Sequence, residues 1–412
     1  MNTKRLSIIW ALPALLLFNY SSAQPTIDTL KVVNWNIEWF GSASNGPADD
    51  NLQEGNVKTV IQNLNADVYA LVEVVDIGRL QNIVNAMPGY NLIVSDFCSS
   101  GCTVSSCASA QKLAFIYRAS KINKIRSYGL LRSGGSANAY TNWASGRFPF
   151  LMEADVTLNN TANKILFIVV HAKANIGTSA EKINSYNRRR DGIAEVSDSL
   201  NVQYPTSNFM ILGDYNDDLD QTITTEVAPI TTSSYSPILT QPDKYVPVTL
   251  PLSLAGQNST AFFPDVIDHV TLSNELNNYY VANSAKIMKT EVLSWISNYA
   301  TTTSDHYPVQ SKYFFNSAIT AVNNLQSQSN GLLVKAFNHS GILDVFINSS
   351  FSNTCSIQLL DLNGRVLKQV QTRVMSGSNK IQMNTYNLAS GIYLLRVNNT
   401  RGSVREKIFI AY

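Results

Sequence analysis

Lys31-Val32-Val33-Asn34-Trp35-Asn36-Ile37 alternates apolar and polar residues with the period of a strand. Val57, Val60, Ile61 and Leu64 then recur at helical spacing, and Val68-Tyr69-Ala70-Leu71-Val72-Glu73-Val74-Val75 is a near-continuous apolar run. Such a run suits a strand covered on both faces. Strand, amphipathic helix and doubly buried strand in succession predict a mixed α/β chain with helices packed on sheet. Working outward, strand-like runs recur at 113–117, 150–158, 165–170, 209–212, 266–272 and 309–314. A polar helix is expected from Ser179 to about Leu200. So many strands predict two packed sheets rather than one.

The 412 residues suffice for two or three domains, and 45% hydrophobic with 15% charged residues excludes wholesale disorder. Residues 326–412 carry nine Lys and Arg against three Asp and Glu, whereas residues 24–325 carry 20 against 26. An acidic middle section argues against a protein that holds nucleic acid through a broad basic surface alone. It is compatible with carboxylates gathered around a cation.

Residues 1–23 have a basic front (Lys4, Arg5), an apolar run from Leu6 to Phe18, and the exit Ser21-Ser22-Ala23. This is the layout of a cleaved secretory signal and too short to span a bilayer. No later stretch is long and apolar enough to cross a membrane. Three of four cysteines, Cys98, Cys102 and Cys107, form a run without a neighbouring His, which favours one small-loop disulfide over zinc in an oxidising compartment. Cys355 would take the remaining thiol only if the domains packed together. Residues 319–331 are rich in Asn, Gln and Ser and read as a linker. Residues 332–412 read as a small all-β module, its strands split by Asp361-Leu362-Asn363-Gly364, Ser376-Gly377-Ser378 and Ala389-Ser390-Gly391.

Polar residues cluster near the ends of the apolar runs: Asn34, Asn36 and Glu38; Glu73; His171 and Lys173; Asp214, Asn216 and Asp218; Asp265, Asp268 and His269; Ser304, Asp305 and His306. Strand ends share a rim in α/β sheets, which is where sites form. Three of the four histidines, the side chains suited to proton traffic, lie in these segments. Singly, each has a plainer reading. Asp214 and Asn216 suit a turn after Gly213, and Asp305-His306 suits a helix cap. Asp217, Asp218 and Asp220 read as solvated loop charge or as a structural Ca²⁺ site. A buried Glu73 is costly unless it faces a cation.

The order of these segments resembles the endonuclease/exonuclease/phosphatase superfamily, of deoxyribonuclease I-like fold, over roughly residues 30–315. The carrying motifs are Asn36 in the first strand, Glu73 after Ala70-Leu71-Val72, His171 after Val169-Val170, Gly213-Asp214-Tyr215-Asn216, Asp268 in Ile267-Asp268-His269, and Ser304-Asp305-His306-Tyr307-Pro308. The resemblance implies a four-layer sandwich of two β-sheets flanked by helices over residues 24–318, followed by the small C-terminal sandwich. It implies Mg²⁺ or Mn²⁺ held by Glu73 with Asn36 and Asp305. It also implies catalytic roles for His171, Asp214, Asn216, Asp268 and His306, and a phosphate contact from Arg147. The reaction implied is metal-assisted hydrolysis of a phosphoester, with a nuclease favoured and a sphingomyelinase-type phospholipase C or small-molecule phosphatase as the alternative. An exposed apolar hairpin beside the site would favour a lipid, and none is evident in the sequence. Tyr140, Trp143 and Tyr186, with Arg188-Arg189-Arg190, are candidate nucleic-acid contacts, although the arginines equally suit a solvated helix face. Departures are Val75 and His269, where deoxyribonucleases of this kind often carry Arg, which weakens the case for duplex DNA. The pattern Leu388-Ala389-Ser390-Gly391-Ile392-Tyr393 resembles the sorting domain of type IX secretion substrates. It implies export across the outer membrane by that machinery to the medium or cell surface. A monomer is expected.

Overall fold

The computed structural model describes residues 28–101, 108–133, 138–315, 332–339, 341–349, 351–362 and 364–410. The expected signal segment 1–23, Cys102, Cys107 and the expected linker 319–331 lie outside the described residues. Twelve strands build the larger part: β1 (Leu30–Phe40), β2 (Val68–Val74), β3 (Tyr90–Val94), β4 (Lys112–Arg118), β5 (Ile122–Gly129), β6 (Phe150–Leu158), β7 (Thr161–His171), β8 (Phe209–Asp214), β9 (Tyr245–Pro247), β10 (Asp268–Ser273), β11 (Lys286–Ile287) and β12 (Val309–Tyr313). They form two six-stranded sheets, ordered β11-β12-β1-β2-β4-β3 and β5-β6-β7-β8-β10-β9. Both are mixed: β1 runs parallel to β2 and β7 parallel to β8, and the other neighbours are antiparallel.

Side-chain alternation sorts the core into layers. Val32, Val68, Ala70, Val72, Phe115, Phe150, Met152, Phe167, Val169 and Leu212 share one apolar cluster between the sheets. The opposite faces of β1 and β2, with Val33, Trp35, Tyr69 and Leu71, meet Val57, Val60, Ile61 and Leu64 of the helix Asp50–Leu64 and Leu80, Ile83 and Val84 of the helix Ile77–Asn85. The opposite faces of β7 and β8 meet Ile193, Val196 and Leu200 of the long helix Ser179–Gln203. A capping box, Thr178 with Glu181, starts that helix. The expected helix–sheet–sheet–helix arrangement is therefore observed. The run 68–75 is doubly covered, as its composition predicts. The weakly patterned edge strands β3, β5, β9 and β11 were not legible in the sequence.

The C-terminal region holds seven antiparallel strands. β13 (Leu332–His339), β14 (Ile342–Ser349) and β17 (Gly377–Asn384) form one sheet. β15 (Asn353–Leu360), β16 (Val366–Val374), β18 (Gly391–Asn399) and β19 (Gly402–Ile410) form the other. They share one core through Leu343, Val345, Ile357, Leu359, Leu395 and Val397. Cys355 lies buried in that core as a free thiol, so it does not bridge to the cysteine run.

Phe115 sits in the inter-sheet layer, against Phe150 at 5.7 Å and Phe167 at 6.4 Å. Phe115→Ala should cost about 3–5 kcal/mol of unfolding free energy in urea titrations. A loss below about 1 kcal/mol would mean the layer is not close-packed.

Candidate active site

The parallel pairing of β7 with β8 sets His171 opposite Asp214. Gly213 makes this approach feasible. Its φ is +132°, and a Cβ there would lie 2.1 Å from the Val170 carbonyl oxygen. Asp268, at the start of β10, pairs with Asp214 in antiparallel register. From the other sheet, the ends of β1 and β2 supply Asn36 and Glu73. Both strands break register here, between Asn36 and Phe40 and between Leu71 and Val74. Bulges of this kind re-aim side chains. Glu38, Trp39, Glu73 and Asn216 have positive φ, a clustering of strained backbone typical of working sites.

These segments converge on one carboxylate. Asn36 Nδ2 donates to Asp214 Oδ2 at 3.0 Å and to Glu73 Oε1 at 3.1 Å. His171 Nε2 lies 3.5 Å from both of those oxygens. His306 Nε2 is 3.9 Å from Asp214 Oδ2, and its Nδ1 is 2.8 Å from Asp268 Oδ2. Asp214 Oδ1 accepts from the Asn216 backbone, and Glu73 Oε2 accepts from the Trp39 backbone. Ser304 Oγ donates to the Asn36 carbonyl and accepts from the His306 N–H, which fixes the last segment to the first strand. Glu73, Asn36, His171, Asp214, Asn216, Asp268 and His306, all expected at one rim from sequence, are thus brought together.

Asp305 stands slightly apart. Its Oδ1 is 3.9 Å from His306 Nε2, and its backbone N–H donates to Glu38 Oε2 at 2.9 Å. Glu38 feels the charges of both Asp305 and Glu73; burial first, then those neighbours, pushes its pKa up to about 7. Sequence reasoning passed over Glu38 as part of a polar strand end. Its position two residues after Asn36, beyond the expected alternation, was the available signal.

Arg147 is buried and ties down the end of β7. Its Nε donates to the His171 carbonyl, one terminal nitrogen to the Ala172 carbonyl, and the other to Gln111 Oε1. Burial lowers its pKa to about 10 against the opposing pull of Glu73 and Asp214. Arg147 therefore acts on the site through its charge and through β7, with three of its N–H groups spent on protein acceptors.

Several expectations are corrected. Trp143 and Tyr186 are buried, so neither lies open to a ligand, while Tyr140 remains exposed. Arg189 is buried too, not on a solvated face. It donates to the Lys173 carbonyl, Thr224 Oγ1 and Ser234 Oγ, and lies 3.7 Å from Asp217. Asp217 and Asp218 are not solvated loop charge. Asp217 accepts from Thr222, Ile223 and Ser234, and Asp218 accepts from the Leu219 and Val266 backbones. Their oxygens fasten the loop that follows β8, and they form no cluster with Asp220 suited to Ca²⁺ among the described residues. His269 points away from the rim. It bonds Thr249 Oγ1 and the Val266 carbonyl, packs 5.3 Å from Tyr215, and burial presses its pKa down to about 3.

The charges are unevenly matched. Burial raises the pKa of Glu73 and, with Asp268 nearby, pushes that of Asp214 up to about 7. Burial, then Arg147 and His306, holds His171 well below its usual value, so it is a neutral imidazole. Burial opposes the charge on His306, but Asp268, Asp214 and Asp305 outweigh it and hold its pKa well above normal. Three carboxylates, Asp214 and Asp268 buried and Glu73 partly so, thus face one imidazolium and one guanidinium. Oxygen donors in excess of positive charge fit a hard divalent cation. Asp214, Asp268 and His306 place one ligand atom each within 4.8 Å of one another, a group that can hold a metal only if His306 gives up its proton. Asp268 Oδ1 and His171 Nδ1 are buried without a hydrogen-bond partner, further unspent polar capacity at this rim.

Solved structures similar to this chain include endonuclease/exonuclease/phosphatase proteins and others. They include the human Nocturnin catalytic domain with bound sulfate (14% identity, 70% of this chain and 95% of that chain, TM-score 0.48). They also include an endonuclease/exonuclease/phosphatase from Beutenbergia cavernae (14%, 92% and 100%, 0.47) and a mannosyl-6-phosphatase from Bacteroides thetaiotaomicron (15%, 69% and 100%, 0.42). No curated protein matches the sequence. Residues 340–411 match the secretion system C-terminal sorting domain. This type IX sorting domain marks the chain for export, to the medium or to the cell surface. Among the described residues, no helix is long and apolar enough to cross a membrane.

Two outcomes are expected. Gly213→Ala should lower stability by about 3 kcal/mol or more, because backbone cannot yield as a side chain does; an unchanged melting temperature would refute the close approach of β7 and β8. Asp268→Asn removes the main partner of the His306 cation, so the His306 titration followed by NMR should move down in pH. An unmoved titration would show that Asp268 does not hold that charge.

Proposed function

We propose that residues 24–318 form a monomeric, divalent-metal-dependent phosphoesterase that hydrolyses phosphodiester bonds in nucleic acid. In this reading residues 1–23 are a cleaved signal peptide, 319–331 a linker and 332–412 the sorting module. The observation that carries the proposal is the convergence of Asn36, His171 and His306 on Asp214 Oδ2 beside Glu73, across two sheets.

Glu73 would hold Mg²⁺ or Mn²⁺, with Asn36 and, through Glu38, Asp305 completing an oxygen-rich surround. When bound, such a cation supplies Lewis-acid polarisation of a phosphate oxygen. Asp214 has a carboxyl poised near neutrality and is fixed by the Asn216 backbone, so it suits taking a proton from the attacking water. Asn216 helps position that water. His306, kept cationic by Asp268, donates its Nε2 proton toward a non-bridging oxygen. His171 is neutral, and its Nε2, 3.5 Å from oxygens of both Glu73 and Asp214, offers a second donor to the phosphate. Arg147 steadies the strand end that carries His171.

His306→Ala and Asp214→Asn should each lower kcat by about 10²–10³-fold. Hydrolysis of single-stranded DNA, RNA, sphingomyelin and inositol phosphates should be compared with Mg²⁺, Mn²⁺ and chelator. Nucleic acid should be the preferred substrate, with activity lost under chelation and restored by metal. Near wild-type activity in His306→Ala, or activity under strong chelation, would refute the scheme.

A further inference from the structure

The helix Asp50–Leu64 lays a stripe of Val57, Val60, Ile61 and Leu64 on the first sheet, and Gln53 continues that stripe one turn towards the helix start. An apolar side chain would be the plain choice there. Gln53 is 1% exposed, and a buried amide is costly unless its donors and its acceptor are used. Its Nε2 donates to the carbonyls of Ile37 at 3.1 Å, Glu38 at 2.8 Å and Thr303 at 3.1 Å. Its Oε1 accepts from the Gly41 N–H at 3.0 Å. Two amide protons thus serve three carbonyls, so one bond is shared. Ile37, Glu38 and Gly41 follow Asn36 on β1, and Thr303 precedes Ser304-Asp305-His306. One side chain of the helix layer therefore grips both segments that carry the site.

The stretch after Asn36 is where β1 leaves its ladder, and Glu38, Trp39 and Gly41 have φ of +43°, +48° and +72°. Two of its N–H groups turn to the site. The Glu38 N–H donates to Asn36 Oδ1 and the Trp39 N–H to Glu73 Oε2, each at 2.9 Å. The first bond fixes which way the Asn36 amide faces, and so aims its Nδ2 at Asp214 and Glu73. The Ile37 and Glu38 carbonyls face the helix instead. Buried carbonyls must find donors, and Gln53 supplies one to both. The neighbouring carbonyls are served from elsewhere: Asn36 by Ser304 Oγ, Trp39 by the Ser42 N–H, and Phe40 by the Val75 and Asp76 N–H groups. Backbone held at positive φ persists only where its surroundings over-determine it, and here Gln53 is that surrounding.

We propose that Gln53 is a positioning residue for the metal side of the site, holding Asn36, Glu73 and Asp305 in one constellation through the backbone turn at Ile37–Gly41. The proposal rests on the metal-dependent reading above. Gln53 touches neither cation nor substrate. Asn36 and Glu73 are reached through the Glu38 and Trp39 N–H groups. Asp305 is reached twice, through Thr303 and through the Glu38 carboxylate that accepts its N–H. Partners that orient metal ligands from behind set metal affinity nearly as the ligands do.

The test is Mn²⁺ binding to the full chain by isothermal titration calorimetry, with hydrolysis of bis(p-nitrophenyl) phosphate, a diester without base or lipid, as a second reading. Gln53→Met keeps the length of the side chain without its N–H groups. Gln53→Leu installs what the apolar stripe would ordinarily hold. Val57→Ala, one turn along the same buried stripe, loosens the helix without touching the turn. Both Gln53 variants should weaken Mn²⁺ binding by about 10–100-fold. The Mn²⁺ concentration for half-maximal hydrolysis should rise by the same factor, with KM for the diester at saturating Mn²⁺ kept. Val57→Ala should lower the melting temperature and leave the Mn²⁺ Kd alone. Equal Mn²⁺ affinity in wild type and the Gln53 variants, or an equal loss in Val57→Ala, would overturn the positioning role and leave the metal-dependent reading intact. Absence of Mn²⁺ binding by wild type would overturn that reading and the proposal with it. Should neither Gln53 variant fold, wild type decides by NMR: the Gln53 side-chain amide signals should shift as Mg²⁺ is added, and unmoved signals would overturn the proposal.

Discussion

Asn36 of one sheet reaches Asp214 of the other, and this one contact depends on everything beneath it. The two strands belong to different sheets and are 178 residues apart in sequence. They meet only because the apolar layer between the sheets is filled and the strand ends on one rim are brought level. Gly213 completes the arrangement from within its own sheet. Without a Cβ, β8 presses against the Val170 carbonyl, and Asp214 lands beside His171. Rigid strands hold the reacting groups, and bulges at Glu38–Trp39 and Glu73 turn them inward.

Electrostatics then give the groups different tasks. Burial alone would make Glu73 and Asp214 reluctant to ionise and both histidines reluctant to charge. The pairing with Asp268 breaks that symmetry: His306 becomes a cation, while His171, beside Arg147, stays neutral. The surplus of carboxylate over positive charge leaves a place for a divalent ion. Behind the rim, Arg189 and Asp217 are neutralised by one another and by the loop they bind. They shape the ground on which Lys173 and Asn216 stand without facing the substrate.

The sequence by itself determined the layers, because each period of alternation states which faces must leave water. It also determined the residues of the rim, because polar side chains at the ends of apolar runs have few inexpensive structural roles. Tertiary structure alone decided what each charge does. Arg189, Asp217 and Asp218 read as solvated because charge is usually at the surface; burial became tolerable only when Thr222, Ser234 and the Val266 backbone arrived from elsewhere in the chain to satisfy them. His269 and His306 both stand beside acidic residues, but strand alternation turns one into the helix layer and the other to the rim. The exposure of Phe262 and Phe263 has no signature in one dimension, and only the folded chain places their turn next to His306 through the pairing of Thr260.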